Sequence, residues 1–419
     1  MNVCVVAEYY PRRRDPVLGV WAHRQAVAAA EAGVDIRVLA LERPIPPAAL
    51  LREARQGRPR PLVRALAAIA RQPRRDVIDG LDVEYVRFVA PPREHAYASW
   101  ERWARRPLTR ALEHLRARWS IDLVHAHYAL PAGGAARAFC LRRRVPLVVS
   151  VHGGDLLGEA VEQAPARQRI GQVLAGSAGV LCNSRATLEG AAALAGTSGH
   201  MRVVHLGATP PASPAHRRTE RTVATLAHLV ARKRHGDVLR AVRLLAPTLP
   251  DLRLLVIGDG PERAPLAALA ERLGVAERVE WAGQLAPDEA LRRLAGCHLM
   301  AMPSVDEAYG VAYVEALACG VPALGCRGEG GPEEIAALGE GMLLVPPADV
   351  EALAGAIREA LEHPRRHQEL SRAARATARA HFTWEGCGQA TRRAYEDALA
   401  EPRAGRPAAR VGAAAGQNA

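Results

Sequence analysis

Lysine is almost missing from this chain: of 56 basic residues only one, Lys233, is a lysine. An ammonium is a compact point charge and a guanidinium a planar fork, so the two are not interchangeable at a tight phosphate site. A lone lysine surviving at a strand end, in LVARKRH, points to a position that requires it. Aromatic residues are scarce too, at 4%. With so few rings for base stacking, and no RNP, zinc-finger or basic-helix motif, nucleic acid is not an expected partner. The seven cysteines form no CxxC pair and lie mostly in apolar runs. They read as reduced core residues of a cytosolic protein, and a zinc site is not expected. No apolar run reaches about 18 residues, so no membrane span is expected. The start, MNVCVVAEYYP, enters a strand without a signal-peptide pattern.

Arginine is abundant instead, and the net charge is +12. Excess of this size favours anionic partners: nucleotides, polyphosphate lipids or an anionic membrane surface. At 419 residues the chain exceeds one core, and two or three domains are expected.

The most informative stretch is CHLMAMPSVDEAYGVAYVEALACGVPAL, residues 297–324. A short apolar run is broken by Pro303-Ser304, a helical pattern runs from about Gly310 to Gly320, and a strand resumes at Val321. That is a parallel crossover unit. Glu307 lies in the loop and Glu315 inside the helix, with Gly310-Val311-Ala312 offering bare backbone N–H groups between them. A helix N-terminus carries roughly half a positive charge and can hold a phosphate without a basic side chain. Flanking carboxylates would then accept hydroxyl hydrogen bonds, one from a sugar and the other from a ribose. The plain alternatives are a solvated loop acid and an ordinary helix glutamate.

The first half reads as a βαβ start: strand 2–7, an Arg/Pro-rich loop, helix 21–32 entered at Gly19-Val20 and stopped at Gly33, then strand 35–41. Gly19 is a second candidate anion cradle, or simply a connecting loop. Residues 44–75 are rich in Pro and Arg around a short apolar helix. A helical region over 97–119 sets Trp100, Trp103 and Trp119 among arginines, which suits a membrane headgroup zone or a domain surface burying its Trp face. Strand 121–124 runs into His125-Ala126-His127, and strand 146–151 into His152-Gly153-Gly154-Asp155. Ligands of open α/β sheets gather beyond the carboxyl ends of strands. His152, followed by two glycines that admit a ligand to the backbone, is the better candidate; His125 also fits a core histidine, and the three histidines lack a clear fourth zinc ligand. A Pro- and Ser-rich break at 208–220 marks a hinge. A second α/β set begins at Thr222, its Gly258-Asp259-Gly260 turn lacking the GxGxxG spacing. GCRGEGGPEEI (325–335) offers another glycine-rich approach to a ligand, and 401–419 reads as a disordered tail.

The E-x7-E spacing of Glu307 and Glu315 in its context, with LVARK, LLVIGDGPERAPLAALAERLGV and VEWAG, resembles glycosyltransferase family 4. LGVWAHRQA, DLVHAHYALPAG and VSVHGGD extend the resemblance, more loosely, into the first half. It implies a GT-B fold: two Rossmann-like α/β domains with parallel sheets facing a central cleft, the acceptor side in 1–210 and the nucleotide-sugar side in 211–384. A crossover helix at 385–400 returns to the first domain. It implies a retaining hexosyl transfer from a nucleoside-diphosphate sugar to a lipid-linked or saccharide acceptor of the cell envelope, without a metal or other cofactor. It places the protein in the cytoplasm, with the inner face of the membrane as an option. By position, Glu315 would hold the ribose, Glu307 the donor sugar, Lys233 with the backbone of Gly310, Val311 and Ala312 the diphosphate. His152 would sit near the anomeric carbon.

The family usually reads GRL before its lysine; this chain has Ala227-His228-Leu229. His228 can donate one hydrogen bond, but carries charge only if its pKa is raised, so Arg232 or Arg234 is the candidate compensator. LGATP replaces the usual NGVD-like end, and nothing in the sequence explains it. The rival readings are a GT-B sugar-nucleotide epimerase and a non-catalytic nucleotide-sugar-binding protein. Phosphorylase-type chemistry needs a cofactor-bearing lysine, and the only lysine is assigned elsewhere.

Overall fold

The computed structural model describes residues 1–46, 48–92, 96–157, 161, 163–212 and 219–400. Its strands form two sheets. The first has the order β3-β4-β2-β1-β5-β6-β7-β8, from β1 (Asn2–Ala7), β2 (Asp35–Glu42), β3 (Arg75–Ile78), β4 (Leu81–Arg87), β5 (Leu123–His127), β6 (Leu147–Val151), β7 (Gly179–Cys182) and β8 (Met201–Val203). The second has the order β11-β10-β9-β12-β13-β14, from β9 (Thr222–Leu226), β10 (Arg253–Ile257), β11 (Val279–Gly283), β12 (Leu299–Ala301), β13 (Ala323–Cys326) and β14 (Met342–Val345). Helices cover both faces of each sheet, so central strands such as VCVVA in β1 are buried throughout and read as unbroken apolar runs.

Every strand pair is parallel except β3–β4. That hairpin turns on Asp79-Gly80, both with positive φ (46° and 79°). Asp-Gly between two strands is a strong hairpin signal, and the expectation of one short helix over 44–75 passes over it. The structure has two helices there, Ala48–Arg55 and Arg60–Arg71, and then the edge strand β3.

One further expectation changes. His125 and His127 lie inside β5, which runs to His127, because the run LVHAH is wholly buried and pairs with β1 and β6 on both sides. Of the two readings of the tryptophans in 97–119, burial of the Trp face holds for Trp100 and not for Trp103. Helix Trp100–Arg116 buries Trp100 in the core of the first sheet and leaves Trp103 half exposed. Arg37 stacks on Trp119 and Arg43 on Trp100.

The first sheet ends at Val203 and the second begins at Thr222; residues 213–218 of the expected hinge and the tail 401–419 lie outside the described residues. After helices Val350–Glu362 and Pro364–His381 on the second sheet, helix Trp384–Ala400 crosses back onto helix Val20–Glu31 of the first. A Cβ at Gly388 would stand 2.1 Å from the carbonyl oxygen of Ala28, so the two helices meet backbone to backbone. Gln25 donates to Thr391 (3.0 Å) in that contact. This is the GT-B architecture, with the cleft lying where the strand ends of the two sheets face each other.

Candidate active site

The loop from β12 and the helix Val311–Cys319 form the second domain's wall of the cleft. Gly310 caps the helix in the left-handed region (φ 82°). A side chain there would run into the Tyr313 ring, 2.3 Å from the added Cβ, so glycine is required on both counts. Tyr313 donates its hydroxyl to the Met302 carbonyl (2.6 Å), and Tyr309 donates to the Leu206 carbonyl in the first domain (2.7 Å). The two tyrosines pin the loop to its own strand end and to the facing domain.

Glu307 is buried at 7% exposure, and its carboxylate accepts from Lys233 Nζ, itself at 9%. Arg232 stands 3.7 Å from the same oxygen and is about half exposed. The Glu307 backbone is tied as well: its N–H donates to Glu329 (2.7 Å), and its carbonyl accepts from Gly331 N–H (3.2 Å). Burial lowers the Lys233 pKa and the Glu307 charge opposes that shift. Glu315, within helix Val311–Cys319, makes no hydrogen bond or ion pair among the described residues, and burial pushes its carboxyl up to about 7.

The first-domain wall is built at the end of β6. His152 Nε2 lies 2.9 Å from His127 Nδ1. Asp155 accepts from the N–H groups of Ala129 (2.8 Å) and, at 3.4 Å, His152, and burial pushes its carboxyl up to about 7. Desolvation lowers His152 to about 3, keeping it neutral. Gly153 (φ 92°) touches the second domain, since a Cβ there would stand 2.3 Å from the Cβ of Ala308, the neighbour of Glu307. Ser184 closes the same seam by donating to the Ala308 carbonyl (2.7 Å).

The structure thus brings together Lys233, Glu307, the Gly310–Ala312 terminus and the His152 turn. His228 is exposed on the loop after β9, braced where Gly258 and Gly260 approach Ala227 and Leu229 backbone to backbone. Of its two candidate compensators, Arg234 is engaged by Asp237 (2.6 Å), while Arg232 faces Glu307. Gly19 caps helix Val20–Glu31 with φ 67°, and a Cβ there would stand 2.2 Å from the Tyr9 carbonyl, which alone demands glycine. The segment 325–335, which comprises the end of β13, a short turn and the start of helix Gly330–Leu338, braces the site: Glu329 takes the Glu307 N–H, and Glu334 takes His205 (2.7 Å) and the Arg185 N–H (2.5 Å) across the domain seam. Sequence reasoning misses Glu329 and His127 as supports. The first sits in the quoted glycine-rich loop, the second two residues beyond His125. Among the described residues no group of three metal-ligating side chains converges.

A family model described as "Glycosyl transferase 4-like domain" matches residues 18–207, and one described as "Glycosyl transferases group 1" matches 210–377. The D-inositol 3-phosphate glycosyltransferase of Acidothermus cellulolyticus is 31% identical over 322 residues, 70% of this chain and 71% of that protein. A GDP-mannose-dependent monoacylated α-(1-6)-phosphatidylinositol monomannoside mannosyltransferase of Corynebacterium glutamicum is 32% identical over 179 residues, 41% of this chain. The match spans only 46% of that relative's length. Among solved structures, sucrose-phosphate synthase from Thermosynechococcus elongatus superposes with TM-score 0.72 at 20% identity, covering 96% of this chain and 100% of that one. Anabaena HepE in complex with UDP and glucose gives 0.70 at 19%, covering 94% and 99%. Two half-chain models that together span both domains, and a relative matched over most of its length, agree with the fold: the chain belongs to the family 4-like glycosyltransferases of GT-B architecture.

Proposed function

We propose that this glycosyltransferase moves a hexosyl group, with retention and without a metal, from a nucleoside-diphosphate sugar to a glycolipid or polysaccharide acceptor of the cell envelope. The observation that carries the reading is the Lys233–Glu307 pair beside the Gly310 helix terminus. A diphosphate leaving group needs fixed positive potential. Lys233, the half-exposed Arg232 and the backbone N–H groups of Val311 and Ala312 supply it, doing the work a divalent cation does elsewhere. As the bond from the anomeric carbon to the phosphate oxygen breaks, the acceptor hydroxyl oxygen bonds to that carbon on the same face. Its proton passes to the departing phosphate. Glu307, already engaged by Lys233, is held as a sugar contact rather than a free nucleophile. Glu315 takes the ribose hydroxyls. The diphosphate-sugar donor is supported by the names of the relatives, one GDP-mannose-dependent and one solved with UDP and glucose.

A peripheral contact with an anionic membrane belongs to the same reading, and because Trp100 is buried, helix Arg60–Arg71 is the surface favoured over the Trp100–Trp119 segment. Helix Arg60–Arg71 buries none of its residues, and Val63 and Leu66 stand 60% and 47% exposed. Over 48–71, Arg52, Arg55, Arg58, Arg60, Arg64 and Arg71 face only Glu53. Apolar side chains rimmed by arginine suit a headgroup layer. No described helix is long and apolar enough to cross a membrane.

A thermal-shift screen of UDP-, GDP- and ADP-sugars tests the donor, since a ligand that binds only the native state raises the midpoint by mass action. The hit is then incubated without acceptor. Slow donor hydrolysis is expected. Accumulation of an epimerised nucleotide sugar would replace the transfer reading with an epimerase, and no turnover with any acceptor would favour a binding protein.

A further inference from the structure

Aromatic rings are scarce in this chain, yet Tyr9, Trp21 and Tyr128 meet beside His152 at the cleft end of the first sheet. Tyr9 follows β1, Trp21 stands in the first turn of helix Val20–Glu31, Tyr128 follows β5 and His152 follows β6. Ring centroids are 6.1 Å apart for Tyr9 and Trp21, and 5.2 Å for Tyr9 and Tyr128. The His152 ring lies 6.2 Å from Trp21 and 5.4 Å from Tyr128. Tyr9, Trp21 and Tyr128 are each only partly buried. The transfer reading uses His152 and gives these rings no task.

Core packing does not account for the group. Trp21 leans on the core of the first sheet. Among the described residues, though, Tyr9 and Tyr128 join neither of the apolar clusters that cover its faces, whereas Tyr10 and Tyr97 do. Tyr128 also holds a backbone conformation that residues with a side chain rarely adopt (φ 76°, ψ 138°). Its N–H donates to the Ser150 carbonyl (2.9 Å) and its carbonyl accepts from the Gly133 N–H (3.1 Å), which fixes the strained residue on both sides. The ring comes to rest on Gly154, where an added Cβ would stand 3.1 Å from Tyr128 Cε1. Strain of this kind persists where the surroundings impose it, and it gathers at ligand sites. The Tyr9 ring is inclined at 39° to Trp21 and 53° to Tyr128, so no ring covers the whole face of another. Together they make an angled apolar corner in a cleft.

A pyranose has a face lined by axial C–H bonds and a rim of hydroxyls. Those hydrogens are slightly positive and the face of an aromatic ring slightly negative, so the two faces attract while both leave water. An open-chain polyol has no such face, and a phosphate is repelled by the ring face. We infer that Tyr9, Trp21 and Tyr128 are the stacking platform for the acceptor, whose terminal unit is a pyranose ring. The inference rests on the reading that the first-domain wall receives the acceptor, and it narrows that acceptor to a chain ending in a sugar ring. The platform's contact with His152 sets the pyranose beside the imidazole that the same reading puts near the anomeric carbon. A rim hydroxyl is then the one whose oxygen bonds to that carbon as the phosphate oxygen leaves with its proton.

The test is saturation-transfer difference NMR on the full chain with UDP or GDP present, whichever binds. The probes are methyl α-D-glucopyranoside, methyl α-D-mannopyranoside and methyl β-D-galactopyranoside, against D-glucitol and glycerol 1-phosphate. At least one pyranoside should be saturated, the protons of one ring face more than those of the other, and the open-chain probes should stay at background. Tyr9→Leu and Tyr128→Leu keep apolar bulk and remove the flat face, so the signal should fall to background in both, while Tyr9→Phe keeps it. Both tyrosines stand outside the cores, so melting temperatures should stay within a few degrees of the parent. With the bound pyranoside as acceptor, Tyr9→Leu should raise its KM about tenfold and the donor KM less. Equal saturation of D-glucitol, a signal that survives both leucine variants, silence from every pyranoside, or a rise confined to the donor KM overturns the inference. Face-on binding without any transfer would keep the platform and remove the transfer reading. Transfer to an open-chain or lipid hydroxyl with no pyranoside bound would do the opposite.

Discussion

Glu315 stands one turn into its helix with no hydrogen bond or ion pair among the described residues, and burial pushes its carboxyl from 4.5 to about 7. The folded protein therefore holds this proton more tightly than the unfolded chain does. The sign follows: the stability that the protonated group confers is complete below 4.5 and is lost as pH rises through about 7. A displacement of that size corresponds to about 3 kcal/mol as an upper bound. Glutamine keeps the shape and cannot ionise. Glu315→Gln should match the parent near pH 4.5 and exceed it at pH 8 by up to about 3 kcal/mol, or roughly 5–10 °C in the melting of the second domain.

The same substitution should harm function, because a glutamine can offer a ribose diol only one acceptor oxygen. UDP or GDP, whichever the parent binds, should weaken about tenfold by calorimetry. Scanning calorimetry of both proteins from pH 5 to 8 checks the first half. If the variant keeps the parent's pH slope, Glu315 is not the desolvated acid. If it gains stability but binds nucleoside diphosphate as well as the parent, the acid is buried for another reason and the ribose lies elsewhere. A gain in stability coupled to a loss of affinity is what a site held ready for a ligand should show.

Much of this was legible in the sequence, and for a definite reason. Parallel sheets covered on both faces demand unbroken apolar strands, and helix ends demand Gly310 and Gly320, so the crossover from β12 to β13 could be drawn to within a residue or two. The strand ending was harder. A buried LVHAH run is indistinguishable by period from a strand that stops before its first histidine, and only the partners of His125 and His127 show that they lie within it. The tryptophans of 97–119 left two readings open because composition does not reveal which face a side chain takes, and the short apolar helix expected within 44–75 gave no sign that helix Arg60–Arg71 buries none of its residues. Least legible was the bond between Lys233 and Glu307, 74 residues apart. Motif reasoning assigns them separate duties, phosphate and sugar, and cannot see that without a donor each is the other's partner.

Lys233→Ala should weaken nucleoside-diphosphate binding by about 1.5–3 kcal/mol, the scale of a charge-assisted hydrogen bond, and unchanged affinity in calorimetry would remove it from the phosphate site. It should also lower stability, by up to about 3 kcal/mol, because it leaves the buried Glu307 carboxylate with only the half-exposed Arg232 at 3.7 Å. The parent should pellet with anionic but not neutral liposomes at low salt and be released as salt rises; Arg60→Glu with Arg64→Glu should abolish pelleting, and retention by that double variant would move the contact elsewhere. Glu307→Gln separates the two duties of the pair. In the free enzyme the Glu307 carboxylate competes with an incoming diphosphate for Lys233. Glutamine removes that competition, so UDP or GDP alone should bind the variant at least as tightly as the parent. Full donor should still react slowly, because the sugar contact strengthens only as the glycosidic bond breaks, and an interaction made in the transition state appears in kcat. A fall in kcat of about tenfold to a thousandfold, the scale of roughly 1.4–4 kcal/mol, is expected. Weaker binding of the bare nucleoside diphosphate with kcat intact would be the reverse pattern, and it would place the diphosphate, not the sugar, against Glu307.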